Sequence, residues 1–177
     1  SLLYADVTQI VLVLAKNSRT IHGKLRLYTR IHDHWEMQLQ SPVVLGKKGM
    51  AVYRQEGDKK SPEGIFPLTM AFGFNSKIHT LLNYHQIKVS TRCIDAPSSK
   101  YYNKIIDVSD VTPDWASSED MRRISLYRYG LIIPFNPRSM PGLGSCVFMH
   151  IWKNKDTGTA GCTAMPLPKI QRLLANL

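Results

Sequence analysis

Long apolar runs are missing from this sequence. No stretch of about eighteen apolar residues occurs among its 177 residues, so the sequence predicts no membrane-spanning helix. The opening segment SLLYADVTQIVLVLA has no basic region ahead of its apolar residues and includes Asp6, which is not the pattern of a secretory signal peptide. A chain that begins at Ser1 is expected either to have lost such a leader or to have been trimmed.

Cysteines are few and are not closely spaced. Cys93, Cys146 and Cys162 form no CxxC pair, and structural zinc sites usually carry such close pairs, so no metal is predicted. In an oxidising compartment Cys93 and Cys146 would pair and leave Cys162 free. Three unpaired buried thiols are the alternative.

Acidic residues are also scarce. The chain has 13 Asp and Glu against 23 Lys and Arg, which gives a formal net charge of +10. A field of this sign favours anionic partners such as nucleic acid, acidic lipid or an acidic cell-wall polymer. The basic residues are scattered, and the sequence has no RNA-recognition, helix-turn-helix or zinc-finger signature. We therefore expect anionic surroundings but no nucleic-acid partner.

Short segments rich in β-branched or alternating residues dominate the chain. They predict a single, mostly β domain over residues 1–177, with a few peripheral helices and an N-terminal β-hairpin region at 1–40. The predicted strands cover 7–14, 23–30, 35–40, 42–51, 87–94, 129–134 and 145–151.

Helical signals are confined to a few places. Apolar residues recur at helical spacing near the end of the chain and predict a C-terminal helix over 168–177. A second helix is expected within 112–127, where acidic residues precede an apolar pair. The segment 76–86 is expected to form one or two helical turns or a lid.

The chemistry of the chain centres on His150 and Cys162, at the two ends of one polar loop. A thiol near an imidazole base is the usual source of a thiolate nucleophile. Gly161 permits a strained turn, and the N–H groups of Gly161 and Cys162 would form an oxyanion hole. The start of the C-terminal helix would add a favourable dipole. A core histidine with an inert cysteine is the alternative interpretation.

Several motifs together resemble the L,D-transpeptidase catalytic domain (YkuD-type). His150, the loop and Thr159-Ala160-Gly161-Cys162 are similar to its His and Ser/Thr-x-Gly-Cys signature, with Ala160 where the family usually has a second histidine. The resemblance covers about residues 40 to 177 and fits the branch without a separate wall-binding module. The other matching segments are GKKG (46–49), EGDKKSPEGIFPL (56–68), CIDAPSSKYYN (93–103) and GSCVFMHIW (144–152).

The resemblance implies a β-sandwich-like domain that acts in the periplasm or extracellular cell wall on peptidoglycan stem peptides. Cys162 would attack the carbonyl of a diamino-acid residue, release a D-amino acid and pass the acyl group to an amine, with His150 as the base. No cofactor is implied, carbapenem β-lactams would acylate Cys162, and the protein is expected to be a monomer. Trp152, Thr159 and Tyr102 would contact the substrate.

Two other functions remain open at this point. A hydrolase at the same site, an L,D-carboxypeptidase or endopeptidase, would use water in place of the acceptor amine. A non-catalytic basic module that binds the cell wall would need neither His150 nor Cys162. Ser145 lacks the Gly-x-Ser-x-Gly context of a serine nucleophile. Arg92 and Arg123 are candidates for binding stem-peptide carboxylates, and the sequence does not choose between them.

Overall fold

A computed structural model describes residues 7–177, and its regular structure is mostly β. The first six residues of the predicted domain lie outside this range. In chain order the elements are β1 (Gln9–Ala15), β2 (His22–Ile31), β3 (His34–Val44), β4 (Met50–Ala51), β5 (Ser61–Pro62), β6 (Met70–Gly73), β7 (Asn83–Gln86), β8 (Thr91–Ile94), β9 (Ile105–Asp107), β10 (Ser118–Asp120), β11 (Tyr129–Ile132), β12 (Phe148–Ile151), β13 (Thr163–Met165) and α1 (Leu167–Asn176). The predicted mostly β fold with a C-terminal helix is confirmed.

Eight of these strands form one mixed sheet in the order β1-β2-β3-β13-β12-β11-β6-β7. Its neighbours are antiparallel except for two parallel pairs, β12 with β13 and β6 with β7. A three-stranded antiparallel sheet has the order β10-β8-β9, and β4 pairs with β5. The two ends of the polar loop singled out above thus enter the centre of the main sheet side by side.

The N-terminal hairpin region forms as predicted from β1, β2 and β3. Leu25 and Leu27 of β2 are completely buried, as expected for alternate residues that face a core. The side chain of Asn17 accepts the backbone N–H groups two and three residues later and closes the first turn. The separate strand predicted at 42–51 is wrong, because β3 stays in register with β2 as far as Val44.

The main sheet is covered on both faces. Alternation along β12 places Met149 and Ile151 in the larger apolar cluster, and Phe148 in a smaller cluster on the opposite face, together with Cys162. The C-terminal helix packs on the larger cluster through residues at the predicted spacing, Ile170, Leu173 and Leu174. No helix within residues 7–177 is long and apolar enough to cross a membrane.

The helix predicted within 112–127 does not form. Ser118–Asp120 is extended and pairs with β8, where Glu119 lies opposite Cys93. A 3-10 turn at Ser125–Arg128 follows. The strand ladder satisfies the backbone of this segment and the burial of Met121 anchors it, so tertiary pairing outweighs the local helical signal.

The helical alternative for 76–86 is also wrong, and the strand predicted at 87–94 forms only in part. The segment 76–86 ends in β7, which pairs with β6, and not in helical turns. The strand predicted at 87–94 is confined to Thr91–Ile94. A turn interrupts it, because the Lys88 N–H donates to Thr91 Oγ1 at 2.9 Å and the Thr91 N–H donates back to the Lys88 carbonyl at 3.1 Å.

A disulfide joins Cys93 to Cys146, which decides between the two alternatives left by the sequence. Cys162 is the free cysteine of the described chain and is buried. The bond ties β8 to the segment that leads into β12. It therefore holds the three-stranded sheet against the face of the main sheet that carries Cys162.

The helix packing generates a stability prediction. Leu173→Ala removes a side chain that is 0% exposed and should lower the free energy of unfolding by about 2–5 kcal/mol through lost burial and the cavity left behind. Leu81→Ala, at a side chain that is 95% exposed, should change it by less than about 0.5 kcal/mol. Urea unfolding of both variants measures the difference, and equal losses would contradict the packing described for α1.

Candidate active site

The parallel pairing of β12 with β13 brings His150 and Cys162 to one face of the sheet. His150 is in register with Ala164, and the Phe148 N–H donates to Cys162 Sγ at 3.3 Å. Phe148 and His150 are two residues apart on one strand, so their side chains share a face. The Tyr127 ring packs edge-on against both, with centroids 5.4 and 5.2 Å away. The structure therefore places the predicted nucleophile and base on the same face of the sheet.

His150 is held as a neutral base. Its ring is 7% exposed, and Nδ1 lies 2.7 Å from the Ile151 carbonyl oxygen. A carbonyl only accepts, so Nδ1 carries the proton and Nε2 keeps its lone pair. Burial lowers the pKa of His150 to about 4, against the opposing effect of this hydrogen bond. At neutral pH the imidazole is uncharged, as a general base requires.

Cys162 is held as a neutral thiol. Its side chain is 7% exposed, and Sγ–H donates to the Cys146 carbonyl at 3.6 Å. Burial raises the pKa of Cys162 to about 12 and the charge of Glu119 adds to it, whereas the Phe148 N–H and Arg54 lower the pKa. The resting pair is a thiol and an imidazole, not an ion pair, and His150 is not a hydrogen-bond partner of Cys162 Sγ.

The disulfide helps to orient the Cys162 thiol, because it fixes the residue whose carbonyl accepts the thiol hydrogen bond. Cys146 has a positive φ of 53°, and its N–H donates to Asn103 Oδ1 at 3.0 Å. With its side chain bonded to Cys93, Cys146 is fixed at both backbone and side chain. Its carbonyl, the acceptor for Cys162 Sγ–H, is therefore held in place by the covalent link to β8.

A half-buried acid, Glu119, lies near Cys162 and was not singled out from the sequence. Tyr127 Oη donates to Glu119 Oε2 at 2.7 Å. Burial raises the pKa of Glu119 to about 7; the hydrogen bond from Tyr127 opposes this, and the charges of Asp95 and Glu56 add to it. Glu119 belongs to the segment 112–127, where the predicted helix does not form, so only the tertiary structure reveals its position.

The turn before Cys162 is built by three side-chain hydrogen bonds. Thr159 Oγ1 donates to the Cys162 carbonyl at 2.6 Å and accepts the Gly161 N–H at 3.1 Å. Ser61 Oγ, from the SPEGIF segment, donates to the same carbonyl at 2.9 Å. Thr159 thus shapes the turn. The predicted oxyanion hole loses one donor, because the Gly161 N–H is already used.

Two further predictions about the loop are settled by its geometry. Gly161 adopts a φ of 149°, and a Cβ built on it would lie 2.7 Å from Arg54 Nη2, so glycine is required here. The expectation that the dipole of the C-terminal helix acts on Cys162 is wrong. Strand β13 separates Cys162 from α1, which begins only at Leu167, and the dipole effect fades within one turn.

The remaining predicted substrate contacts lie at the edge of this site. Tyr102 is 2% exposed; its Oη donates to Glu56 and accepts the Gly144 N–H at 3.1 Å, so it ties two loops together. Burial raises the pKa of Tyr102 to about 12, and Glu56 adds to the shift. Trp152 is half-buried just after β12, and its backbone N–H donates to the Met165 carbonyl at 2.8 Å.

Arg54 is a further residue that sequence reasoning missed. It forms a buried ion pair with Asp58, Nη2 to Oδ1 at 2.9 Å. Burial raises the pKa of Asp58, but hydrogen bonds from Arg54 and from the Lys60 N–H outweigh it and lower the pKa. The guanidinium packs beside Gly161 and is the only positive charge that shifts the pKa of Cys162 within the described range.

The groups near Cys162 are of the kinds that take part in covalent chemistry. Residues 7–177 contain no cluster of three His, Cys, Asp or Glu side chains arranged to hold a metal ion. The titratable groups near the site are a neutral imidazole, a neutral thiol and the Glu119 carboxyl group, whose pKa is raised to about 7. Nucleophilic attack by sulfur with a histidine base is the reaction that this set can perform.

No protein-family model, curated protein or solved structure matches the chain. The geometry of the site and the motifs that form it are therefore the observations that bear on function.

The raised pKa of Cys162 predicts slow alkylation that accelerates with pH. Iodoacetamide should add once to the native chain, with a rate that keeps rising through pH 9–10 because the thiolate is its reactive form. Glu119→Gln should raise the rate at a given pH, since it removes the negative charge that helps to raise the thiol pKa. Intact-mass time courses measure both rates. A plateau below pH 8, or no effect of Glu119→Gln, would contradict the assignment, and Cys162→Ala is the control.

Glu119 also predicts a pH-dependent stability. Its folded pKa of about 7 lies above the ordinary value of 4.5 for a glutamate, so its contribution is full below pH 4.5 and is lost as pH rises to 7. Glu119→Gln retains an acceptor for Tyr127 and lacks this loss. Its unfolding free energy relative to wild type should rise by about 1–3 kcal/mol between pH 5 and pH 8.

His150 acts in the opposite sense but does not obscure the comparison. Its folded pKa of about 4 lies below the ordinary value of 6.5 for a histidine, so stability is lost as pH falls from 6.5 to 4. Both proteins carry His150, so its effect cancels in the difference between them. Denaturant unfolding at the two pH values measures that difference. A constant difference would show that the pKa of Glu119 is not raised.

Proposed function

We propose that this chain is a cysteine-dependent L,D-transpeptidase that acts on peptidoglycan stem peptides. The observation that carries the proposal is that a free thiol and a neutral imidazole lie on one face of the sheet, at the paired strands β12 and β13. The motifs that resemble this enzyme family supply the residues that form the site: Ser61, Thr159, Gly161, Cys162 and His150.

Acyl transfer at this site runs in two halves. His150 Nε2 takes the proton of Cys162, and the thiolate adds to the carbonyl of the diamino-acid residue of the donor peptide. The C–N bond breaks, and the imidazolium returns its proton to the amine of the departing D-amino acid. An acceptor amine then attacks the thioester, gives its proton to His150 and releases the thiolate, which is reprotonated.

In the free protein, the pKa values of Cys162 and His150 disfavour the first proton transfer. A thiol with a raised pKa does not readily give its proton to an imidazole with a lowered one. Substrate must therefore change the balance when it binds, by excluding water and orienting the pair around the carbonyl. The Phe148 N–H and the Arg54 charge already favour the thiolate, so they are positioned to stabilise sulfur during the transfer.

Compartment and charge agree with a substrate in the cell wall. The Cys93–Cys146 disulfide is typical of an oxidising environment outside the cytoplasm. The net charge of +10 favours association with an anionic polymer. We therefore place the activity in the periplasm or the extracellular cell wall, with the stem peptides as both donor and acceptor and no metal or cofactor in the reaction.

Product analysis tests this function. The purified chain, incubated with a tetrapeptide donor and a second stem peptide, should yield cross-linked dimers and free D-amino acid by mass spectrometry. Cys162→Ala should yield neither. His150→Gln should lower the rate by about 10²–10⁴-fold, the usual contribution of a general base. His79→Gln, at an exposed histidine, should leave the rate unchanged.

Each departure from that result has a definite meaning. Trimmed monomers without dimers would replace the transferase with an L,D-carboxypeptidase that uses the same two residues. Unchanged product formation by Cys162→Ala would remove the cysteine from the chemistry. Binding to wall material with no product from the wild-type chain would leave a non-catalytic basic module.

A further inference from the structure

Arg54 has hydrogen-bonding capacity that the protein does not use. Its side chain is 4% exposed, and Nε and Nη2 both donate to one oxygen of Asp58, at 3.3 and 2.9 Å. Nη1 is buried and has no hydrogen-bond partner among residues 7–177. An unpaired buried donor on a charged group is unfavourable, so this nitrogen is a candidate for binding a ligand.

The guanidinium is fixed beside the candidate nucleophile. Its Cζ lies 5.3 Å from the centre of the Phe135 ring. A Cβ built on Gly144 would lie 3.8 Å from Nη1, and one built on Gly161 would lie 2.7 Å from Nη2. Arg54 therefore lies between the two glycine-containing loops, one of which leads directly into Cys162.

Arg54 also lines a cavity of about 420 Å³. The cavity is formed where the loop after β4 meets the loop between β11 and β12. Most of its wall is apolar, and Arg138 adds a second positive charge. The apolar part consists of Val52, Phe135, Pro137, Met140 and Leu143. Such a cavity fits an aliphatic peptide segment that ends in an anionic group.

The chemistry of Arg54 Nη1 indicates which kind of anionic group the cavity would bind. A guanidinium presents planar N–H donors that match a carboxylate, and a desolvated site strengthens that bond. The Asp58 carboxylate is already satisfied by Arg54 and by the N–H groups of Gln55 and Lys60. It therefore holds the guanidinium still and leaves Nη1 to the ligand.

We propose that Arg54 binds a carboxylate of the acyl donor in this cavity through Nη1 and thereby selects peptides with a free carboxylate beside the bond attacked by Cys162. The proposal rests on the proposed acyl transfer for its choice of ligand. A stem peptide offers two such groups: the terminal carboxylate of the departing D-amino acid, and the carboxylate on the side chain of the diamino acid.

Binding measurements on the full chain carrying Cys162→Ala test this without turnover. The probes are three synthetic tetrapeptides: the free acid, its C-terminal amide, and the amide of the diamino-acid side-chain carboxylate. Arg54→Lys keeps a cation beside Asp58 but lacks the second terminal nitrogen. It should weaken binding of the free acid at least about tenfold by calorimetric titration, the effect of one lost charge-assisted hydrogen bond.

The two amides identify the carboxylate. The amide that lacks the bound carboxylate should bind weakly to the protein that retains Arg54, with the affinity that the free acid has for the Arg54→Lys variant. Its affinity should not fall further in the Arg54→Lys variant. Arg172→Lys, at an exposed arginine on α1, should bind all three peptides like the parent. Equal binding of the free acid and both amides, an equal loss for all three, or no binding of the free acid would overturn the proposal.

A second variant guards against misfolding. Arg54→Met combined with Asp58→Asn removes the buried pair together, so that neither charge is left alone, and it should show the same selective loss. The proposed function fails separately. Selective binding of the free acid by the Cys162→Ala chain, with no product from the wild-type chain, would retain the carboxylate site and reject acyl transfer.

Discussion

The parallel pairing of β12 with β13 is the constraint on which the site depends. Parallel neighbours need a crossover connection, and here the loop from Trp152 to Cys162 supplies it without a helix. Hydrogen bonds between Thr159 and the chain just after β3 hold that loop, since the Lys47 N–H donates to Thr159 and the Thr159 N–H donates to Leu45. The loop returns with Cys162 on the face that carries His150.

Burial determines the protonation states of His150 and Cys162. It lowers the pKa of His150 and raises the pKa of Cys162, so both are uncharged before substrate arrives. A resting thiol is protected from oxidation and from stray electrophiles, because the thiolate is the reactive form. In the proposed reaction, reactivity appears only when a bound donor, helped by Arg54 and the Phe148 N–H, makes the thiolate accessible.

Local sequence signals predicted the elements whose partners are also local. The hairpin of β2 and β3 and the helix α1 follow from alternation and helical spacing, and His150 and Cys162 follow from their motif. The failures depend on distant partners. Glu119 lies in β10 because β8 and its disulfide-bonded Cys93 are there to pair with it. Arg54 acquires its position only when the loops carrying Gly144 and Gly161 close around it, which no periodicity records.

The central claim is that Cys162 is a nucleophile assisted by His150, and covalent trapping tests it most directly. The folded chain is incubated with a carbapenem at neutral pH, its intact mass is recorded and the adduct is located by peptide mapping. The account predicts one adduct, on Cys162, that is absent in Cys162→Ala and forms at least about a hundredfold more slowly in His150→Gln. An unmodified wild-type chain, an adduct on another residue, or an undiminished rate in His150→Gln would contradict it.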